Sequence, residues 1–262
     1  LHVSVIMWSL GNEAGGVYNT DRMYHYLKKH TQLPVHYESA VHTKRKAYDV
    51  ASEMYPPVSQ VHEIGEKTWK VKEMCDRPYF LCEYVHAMGV GPGDAESYWK
   101  EIYAHDSLMG GCVWEMVDHA VLHPDGSYTY GGDHGEWEHD GNFCVDGIFY
   151  PDRTPSTGAR LMKYIYRPIR VRCLGEDRFE IFNTRAFTEG YRYRLACTWS
   201  DGTKMTLVPK AGPLSKEEVT IPTKEKRQAA REAGTDLWLT IATVDTVTEQ
   251  EVAKEQLILE EH

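Results

Sequence analysis

Two glutamates stand where they could do chemistry together. The stretch "WSLGNEAGG" closes an apolar run on Gly-Asn-Glu and puts Glu13 where a strand meets a loop. The stretch "FLCEYVHAMG" places Glu83 in the same way. Polar groups at the ends of parallel strands collect at the rim of a β/α barrel, where that fold keeps its active sites. Two carboxylates facing each other there suit glycoside hydrolysis, in which one protonates the leaving oxygen and the other attacks the sugar carbon. Either glutamate alone is a weak signal, because acids at loop starts are common.

Other clusters carry less. "HEIGE", His62 to Glu66, begins like a zinc-protease helix but lacks the second histidine. His134, Glu136, Glu138 and His139 could ligate a metal, but nothing fixes their geometry and they read as a solvated active-site loop. No glycine-rich phosphate loop occurs between a strand and a helix.

The elements that must position the two glutamates follow from the apolar pattern. Strand-like runs at Val3–Leu10, Pro34–Glu38, Val50–Met54, Tyr79–Glu83 and Gly111–Trp114 alternate with helical stretches. That is the signature of βα units around a parallel sheet, whose strands are buried on both faces. Helices are expected over Asn19–His30, with Met23, Tyr26 and Leu27 inward, and over Asp94–Tyr103, with Tyr98, Trp99 and Ile102 inward. From Val121 a long polar loop rich in Gly, Asp and His takes over. Beyond about residue 160 short alternating segments such as "FEIF", "RYRLA" and "DLWLTIATV" predict an antiparallel β-sandwich. "SKEEV" and "PTKEKRQAAREAG" read as charged connectors between its strands. The fold class is therefore α/β followed by all-β, with domains at 1–157 and 158–262.

Composition narrows the function. A net charge of −10, with no basic stripe, argues against nucleic acid. No apolar stretch is long enough for a membrane span. The six cysteines are scattered without a Cys-x-x-Cys pair, which suits reduced thiols rather than a disulfide framework or a zinc site. Seven Trp and 17 Tyr are many for 262 residues, and rings of this kind stack on sugars as well as filling cores. No secretion signal is visible, so the default location is the cytoplasm.

Taken together, "WSLGNE", "EMY", "FLCEYVHAMG", "GGCVWEMVDH", "YGGDHGE" and "FCVDGIFYPDRTP" closely resemble the central barrel of the β-galactosidases of glycoside hydrolase family 2. The resemblance covers essentially the whole chain, in order. It implies a partial (β/α)8 TIM barrel, strands four to eight, with an immunoglobulin-like β-sandwich domain after it. It also implies a retaining reaction that removes terminal β-D-galactose from lactose-like β-galactosides. Glu13 matches the general acid/base, whose pKa should be raised, and Glu83 the nucleophile, which must stay ionised. Asn12 matches the contact to the sugar 2-hydroxyl, Tyr55 the support of the nucleophile with Met54 beside it, His86 a contact to a substrate hydroxyl, and Trp114 the platform for the sugar's apolar face. Phe143 and Asp146 match a sodium site, one through its backbone carbonyl and the other through its side chain. Well-known members carry Asn where this chain has Asp146, and Asn again where it has Val90. Glu13 further matches one ligand of a magnesium site.

The resemblance begins at the fourth strand of a barrel, and the chain opens on Leu rather than Met. The expectation is a fragment, missing the upstream Glu and His of the magnesium site, in need of its N-terminal half or self-associating as a homo-oligomer through open sheet edges. Two alternatives stay open: β-glucuronidase or β-mannosidase chemistry in the same family, and a non-catalytic carbohydrate-binding or complementing piece.

Overall fold

In the computed structural model, which describes residues 3–15 and 18–262, the apolar runs of the N-terminal half become short parallel strands joined by helices. The chain divides into two compact units, the first ending at Arg160 and the second starting at Leu161.

The first unit runs β1 (Trp8–Ser9), α1 (Tyr18–His30), β2 (Val35–His36), β3 (Ala51–Met54), α2 (Val58–Gly65), α3 (Lys72–Cys75), β4 (Tyr79–Tyr84), α4 (Ala95–Ala104) and β5 (Leu108–Val113). Strands β1 and β2 pair in parallel, and β3, β4 and β5 form a three-stranded parallel sheet in that order. The Val50 N–H donates to the Val35 carbonyl at 3.2 Å and links the two pieces. The strands thus lie side by side in chain order, as successive strands of a β/α barrel do. Helix α1 has Asp21 in its first turn and Lys28, Lys29 and His30 in its last, the charge order the helix dipole favours.

Three expectations need correction. The run Val3–Leu10 is strand only over Trp8–Ser9, and Val3 and Ile6 are exposed, not buried on both faces. Among the described strands β1 has a neighbour on one side only, so its apolar residues have little to pack on. The fifth strand spans Leu108–Val113 rather than Gly111–Trp114, and as a sheet edge it leaves Met109 and Cys112 exposed. On α1 the packing face is Thr20, Tyr24 and Leu27, one step round from the face expected, while Met23 and Tyr26 point to solvent. Tyr24 and Leu27 cover a small core of Leu10, Val35, Tyr37, Ala40 and Tyr48. On α4 the reading holds: Ile102 is buried, Tyr98 donates to the Pro56 carbonyl and the Trp99 indole donates to the Tyr84 hydroxyl.

The polar segment after β5 contains a small hairpin, β6 (Val121–Leu122) with β7 (Tyr128–Thr129). It is pinned where the Gly147 N–H donates to the buried Asp118 carboxylate at 2.7 Å. Helix α5 (Thr157–Ile165) leads to the second unit.

That unit is a β-sandwich. Strands β8 (Ile169–Gly175), β9 (Arg178–Asn183), β10 (Tyr193–Trp199), β11 (Lys204–Leu207) and β12 (Lys216–Thr220) precede helix α6 (Lys224–Ala233), and β13 (Leu237–Asp245) and β14 (Glu251–Glu260) follow it. One antiparallel sheet has the order β11-β10-β13-β14 and the other β12-β9-β8. Alternate residues of both, among them Ile169, Phe179, Ile181, Leu195, Trp199, Leu239 and Ile241, share a single core. The two expected connectors are regular elements. "SKEEV" forms most of β12, on a sheet edge where residues alternate between exposed and half-buried and charged side chains are tolerated. "PTKEKRQAAREAG" contains α6, a run of strong helix formers ended by Gly234 at φ 62°. A buried ion pair crosses the sandwich interior. Glu255 accepts from Arg167 Nε at 3.1 Å and from the Val171 N–H at 3.1 Å, and the two side chains are 7% and 4% exposed.

Candidate active site

The ends of the parallel strands are shaped by backbone that side chains other than glycine rarely adopt. Glu13 after β1 has φ 45°, Tyr55 after β3 has φ 48°, and Val85 after β4 has φ 47°. For a β-branched residue such as Val85 this is a real outlier. Conformations of this kind persist where surrounding structure enforces them, and they concentrate at functional sites.

Glu83 lies at the centre. It is the register partner of Met54 across β3 and β4 and is nearly buried. Tyr55 holds it twice: its N–H donates to the Glu83 carbonyl at 2.9 Å and its hydroxyl donates to Oε2 at 2.8 Å. Burial and the neighbouring carboxylate push the Tyr55 hydroxyl well above its usual range, so it remains a donor. Burial also raises the Glu83 carboxyl above its ordinary value. The Tyr55 hydrogen bond opposes that, the charges of Glu13 and Glu38 add to it, and His86 pulls weakly the other way. The expected nucleophile thus holds its proton more tightly than an ordinary carboxyl.

Glu38 was missed by sequence reading. It is buried, accepts the Glu13 N–H at 2.8 Å and accepts from the Ser39 hydroxyl. It fixes the main chain of Glu13 and brings a third carboxylate to bear on Glu83. The signal was available, because Glu38 closes the run Pro34–Glu38 as Glu83 closes its own.

His86 connects Glu83's surroundings to the second half of the site. Its ring lies 5.7 Å from that of Tyr55 and 5.9 Å from that of Phe143. Its Nδ1 accepts from the Met88 N–H at 3.3 Å, which assigns the proton of the neutral ring to Nε2. That nitrogen points to Asp146 Oδ2 at 3.7 Å, and the Trp114 indole donates to the same oxygen at 2.9 Å. Behind His86, Gly91 must lack a side chain, since a Cβ there would meet the His86 carbonyl oxygen at 2.1 Å.

Asp146 is 2% exposed, and its Oδ1 has no hydrogen-bond donor unless the adjacent Glu115 carries a proton. Burial and this shared hydrogen bond push Glu115 up to about 7. A cation would satisfy the same oxygen. Phe143, whose carbonyl was expected to join it, is exposed. Asn12 and Glu13 are also exposed, on the loop after β1. Burial raises the Cys82 thiol to about 11, so the thiol beside Glu83 is no nucleophile at neutral pH. Thus Glu83, Tyr55, Met54, His86, Trp114, Phe143 and Asp146 form one connected group, and Glu13 reaches it through its charge. Among the described residues no helix is long and apolar enough to cross a membrane.

Parallel strands paired in chain order, with carboxylates gathered at their ends, have the arrangement of the rim of a β/α barrel. Residues 1–171 match the family description "Glycosyl hydrolases family 2, TIM barrel domain", and the chain belongs to that family. It is similar to a β-galactosidase of Actinobacillus pleuropneumoniae, 38% identical over 193 residues that make up 71% of this chain and 18% of that protein. A β-galactosidase of Photobacterium profundum is 31% identical over 265 residues, 92% of this chain and 25% of that protein. The chain spans between 18% and 25% of the length of these curated relatives. Among solved structures, a family 2 β-galacturonidase from Eisenbergiella tayi aligns with a TM-score of 0.41 at 14% identity, over 61% of this chain and 33% of that one, too distant to carry an argument.

Proposed function

We propose that the chain carries the catalytic carboxylates of a retaining glycosidase that removes terminal non-reducing β-D-galactose, with β1 to β5 as strands four to eight of its barrel. The observation that carries this reading is the double hold of Tyr55 on a nearly buried Glu83, within reach of the Glu13 charge. Glu83 attacks the anomeric carbon while Glu13 gives its proton to the departing oxygen, leaving a covalent glycosyl ester on Glu83. Glu13, now ionised, takes a proton from water as that water attacks the same carbon and releases Glu83. Tyr55 keeps the carboxylate aimed and eases its departure. Asn12 and His86 bind sugar hydroxyls, Trp114 stacks on the apolar face of galactose and Met54 lines the subsite beside Glu83.

A sodium ion fits the donors present. The orphaned Asp146 Oδ1 and the Phe143 carbonyl would hold it, and it would supply a fixed positive charge beside the sugar. For magnesium, Glu13 would supply one ligand; among the described residues it joins no cluster of three ligand-bearing side chains.

Incubating the chain with aryl β-galactoside, β-glucuronide and β-mannoside in sodium buffer tests the reading. Hydrolysis of the galactoside alone, with β-galactose as the first anomer seen by NMR, is the expected result. Release of α-galactose, or preference for another sugar, overturns it. The second reading, a non-catalytic carbohydrate-binding or complementing piece, is favoured by the fraction of the relatives that the chain spans. Galactose binding that survives in Glu83→Gln, without turnover by the unsubstituted chain, would establish it.

The acid limb of the pH–rate profile gives a finer test. Glu83 must be ionised to attack, and its proton is held more tightly than an ordinary carboxyl's, so activity falls with decreasing pH above the usual carboxylate range. Tyr55→Phe removes the interaction that opposes this shift. It should move the limb to higher pH and lower kcat at neutral pH by about 10- to 100-fold, the worth of a hydrogen bond to a charged group. Glu38→Gln, which removes a neighbouring negative charge, should move the limb the other way.

A further inference from the structure

The "HEIGE" motif lacks a second histidine in sequence, but the fold supplies one. Helices α2 and α4 pack against each other. His62 and Glu66 lie one turn apart on the first, and Glu101 and His105 repeat that spacing at the end of the second. His62 Nδ1 is 2.9 Å from Glu101 Oε2. His105 Nε2 is 3.4 Å from the same oxygen and 3.6 Å from Glu66 Oε1. The donor atoms of His62, Glu101 and His105 all lie within 4.8 Å of one another. Ligands at 2.0–2.1 Å from a tetrahedral zinc ion stand about 3.3 Å apart, so these three donors are near the spacing the ion needs, with the fourth position left to water.

The surroundings fix one side of the cluster and open the other. The His105 ring lies on the bare backbone of Gly65, where a Cβ would come within 2.5 Å of its Cδ2. Its side chain is 14% exposed and that of Glu101 23%, whereas His62 and Glu66 are each 53% exposed, leaving an entry path from solvent. Glu101, with Glu66 beside His105, brings negative charge to a dication. Glu101 favours the protonated form of His62, so a proton occupies part of the place an ion would take. The cluster sits where α2 and α4 end and β4 and β5 begin, opposite the strand ends that carry Glu83.

We propose that His62, Glu101 and His105, with Glu66 beside His105, bind a borderline transition-metal dication of the zinc type, which clasps α2 to α4. Two imidazoles and a carboxylate, with water in the fourth position, suit zinc. The proposal does not depend on the glycosidase reading, because a clasp at this end of the sheet touches no substrate.

The test is calorimetric titration of the tag-free, metal-stripped chain with zinc, together with thermal unfolding at increasing zinc and the visible spectrum of the cobalt-substituted chain. One zinc per chain, a melting temperature that rises with zinc and a tetrahedral cobalt spectrum without thiolate bands are expected. His62→Ala, at an exposed position where folding is not at stake, should weaken zinc by about tenfold or more, within the range seen when metal-site partners are lost. Gly65→Ala, which displaces the His105 ring, should also weaken it. Glu63→Gln, on the same helix but outside the cluster, should not. No saturable binding, or binding unchanged in His62→Ala and in a Glu66→Gln/Glu101→Gln double variant, would overturn the proposal and place any bound zinc on other histidines or thiols.

Discussion

Glu83→Gln is expected to abolish hydrolysis of an aryl β-galactoside, with a loss on the order of 10⁴-fold or more, as when an attacking group is removed from a unit that acts together. The substitution is nearly isosteric. The Tyr55 hydroxyl can still donate, now to the amide oxygen, and the Tyr55 N–H still holds the Glu83 main chain. Removing the charge also relieves repulsion from Glu13 and Glu38, so the thermal midpoint should stay level or rise. Activity and stability therefore move apart, which separates lost chemistry from lost fold. Glu13→Gln should behave differently. Its loss should be severe for substrates with poor leaving groups, slight for activated aryl glycosides in the first step, and partly reversed by azide, which needs no proton removed before it attacks. A 2-fluoro galactoside trapped on the enzyme and located by peptide mass spectrometry should sit on Glu83. A label elsewhere would end the assignment.

Arg167→Met should destabilise the sandwich by about 3–5 kcal/mol, because it leaves a buried carboxylate without its cation. Glu255 would keep the Val171 N–H as a donor, and the replacement side chain offers no charge. The paired change Arg167→Met with Glu255→Leu should recover most of that loss, since a well-packed apolar pair matches or exceeds a buried ion pair. Urea unfolding followed by tryptophan fluorescence, with Trp199 in the core as reporter, measures both. The pair also sets a pH dependence. Burial pushes Glu255 up to about 7 even beside Arg167. A carboxyl raised in the folded state binds its proton more tightly folded than unfolded. It therefore adds stability below the ordinary carboxylate range, and loses that contribution as pH rises through about 7. Without Arg167 the carboxyl should be held protonated further up the scale, so the loss should extend to higher pH. A flat profile, or a single variant as stable as the parent, would mean that Glu255 is not the buried anion described.

The sequence made legible whatever local pattern controls. Both α1 and α4 lie where the apolar period puts them, and β3 and β4 lie where short apolar runs do. The two elements hidden in charged segments, β12 and α6, were illegible for opposite reasons. On an edge strand the polar face erases alternation, and in a helix with few apolar residues only propensity and the terminal glycine speak. The exposure of Val3 and Ile6 was beyond pattern, since a run reads the same whether or not neighbouring strands cover it. In the site, the motifs singled out Glu83, Tyr55, His86 and Trp114, which the fold brings into one connected group. Glu38 and Glu115 stand at the ends of strand-like runs, but their parts, like that of the histidine that completes the His62 cluster, depend on which strands and helices are neighbours, a property of tertiary contact.

The left-handed backbone at Glu13, Tyr55 and Val85 has a bearing on how this domain can change. Each such residue costs on the order of 1–3 kcal/mol, and together they consume an amount comparable to much of a domain's net stability. Random substitution toward glycine or asparagine at these three positions would make the protein tougher against heat. Drift toward robustness and drift away from a well-aimed Glu83 are here the same direction, so a thermostable descendant of this sequence would have to find its extra stability elsewhere, in the sandwich or in the helices.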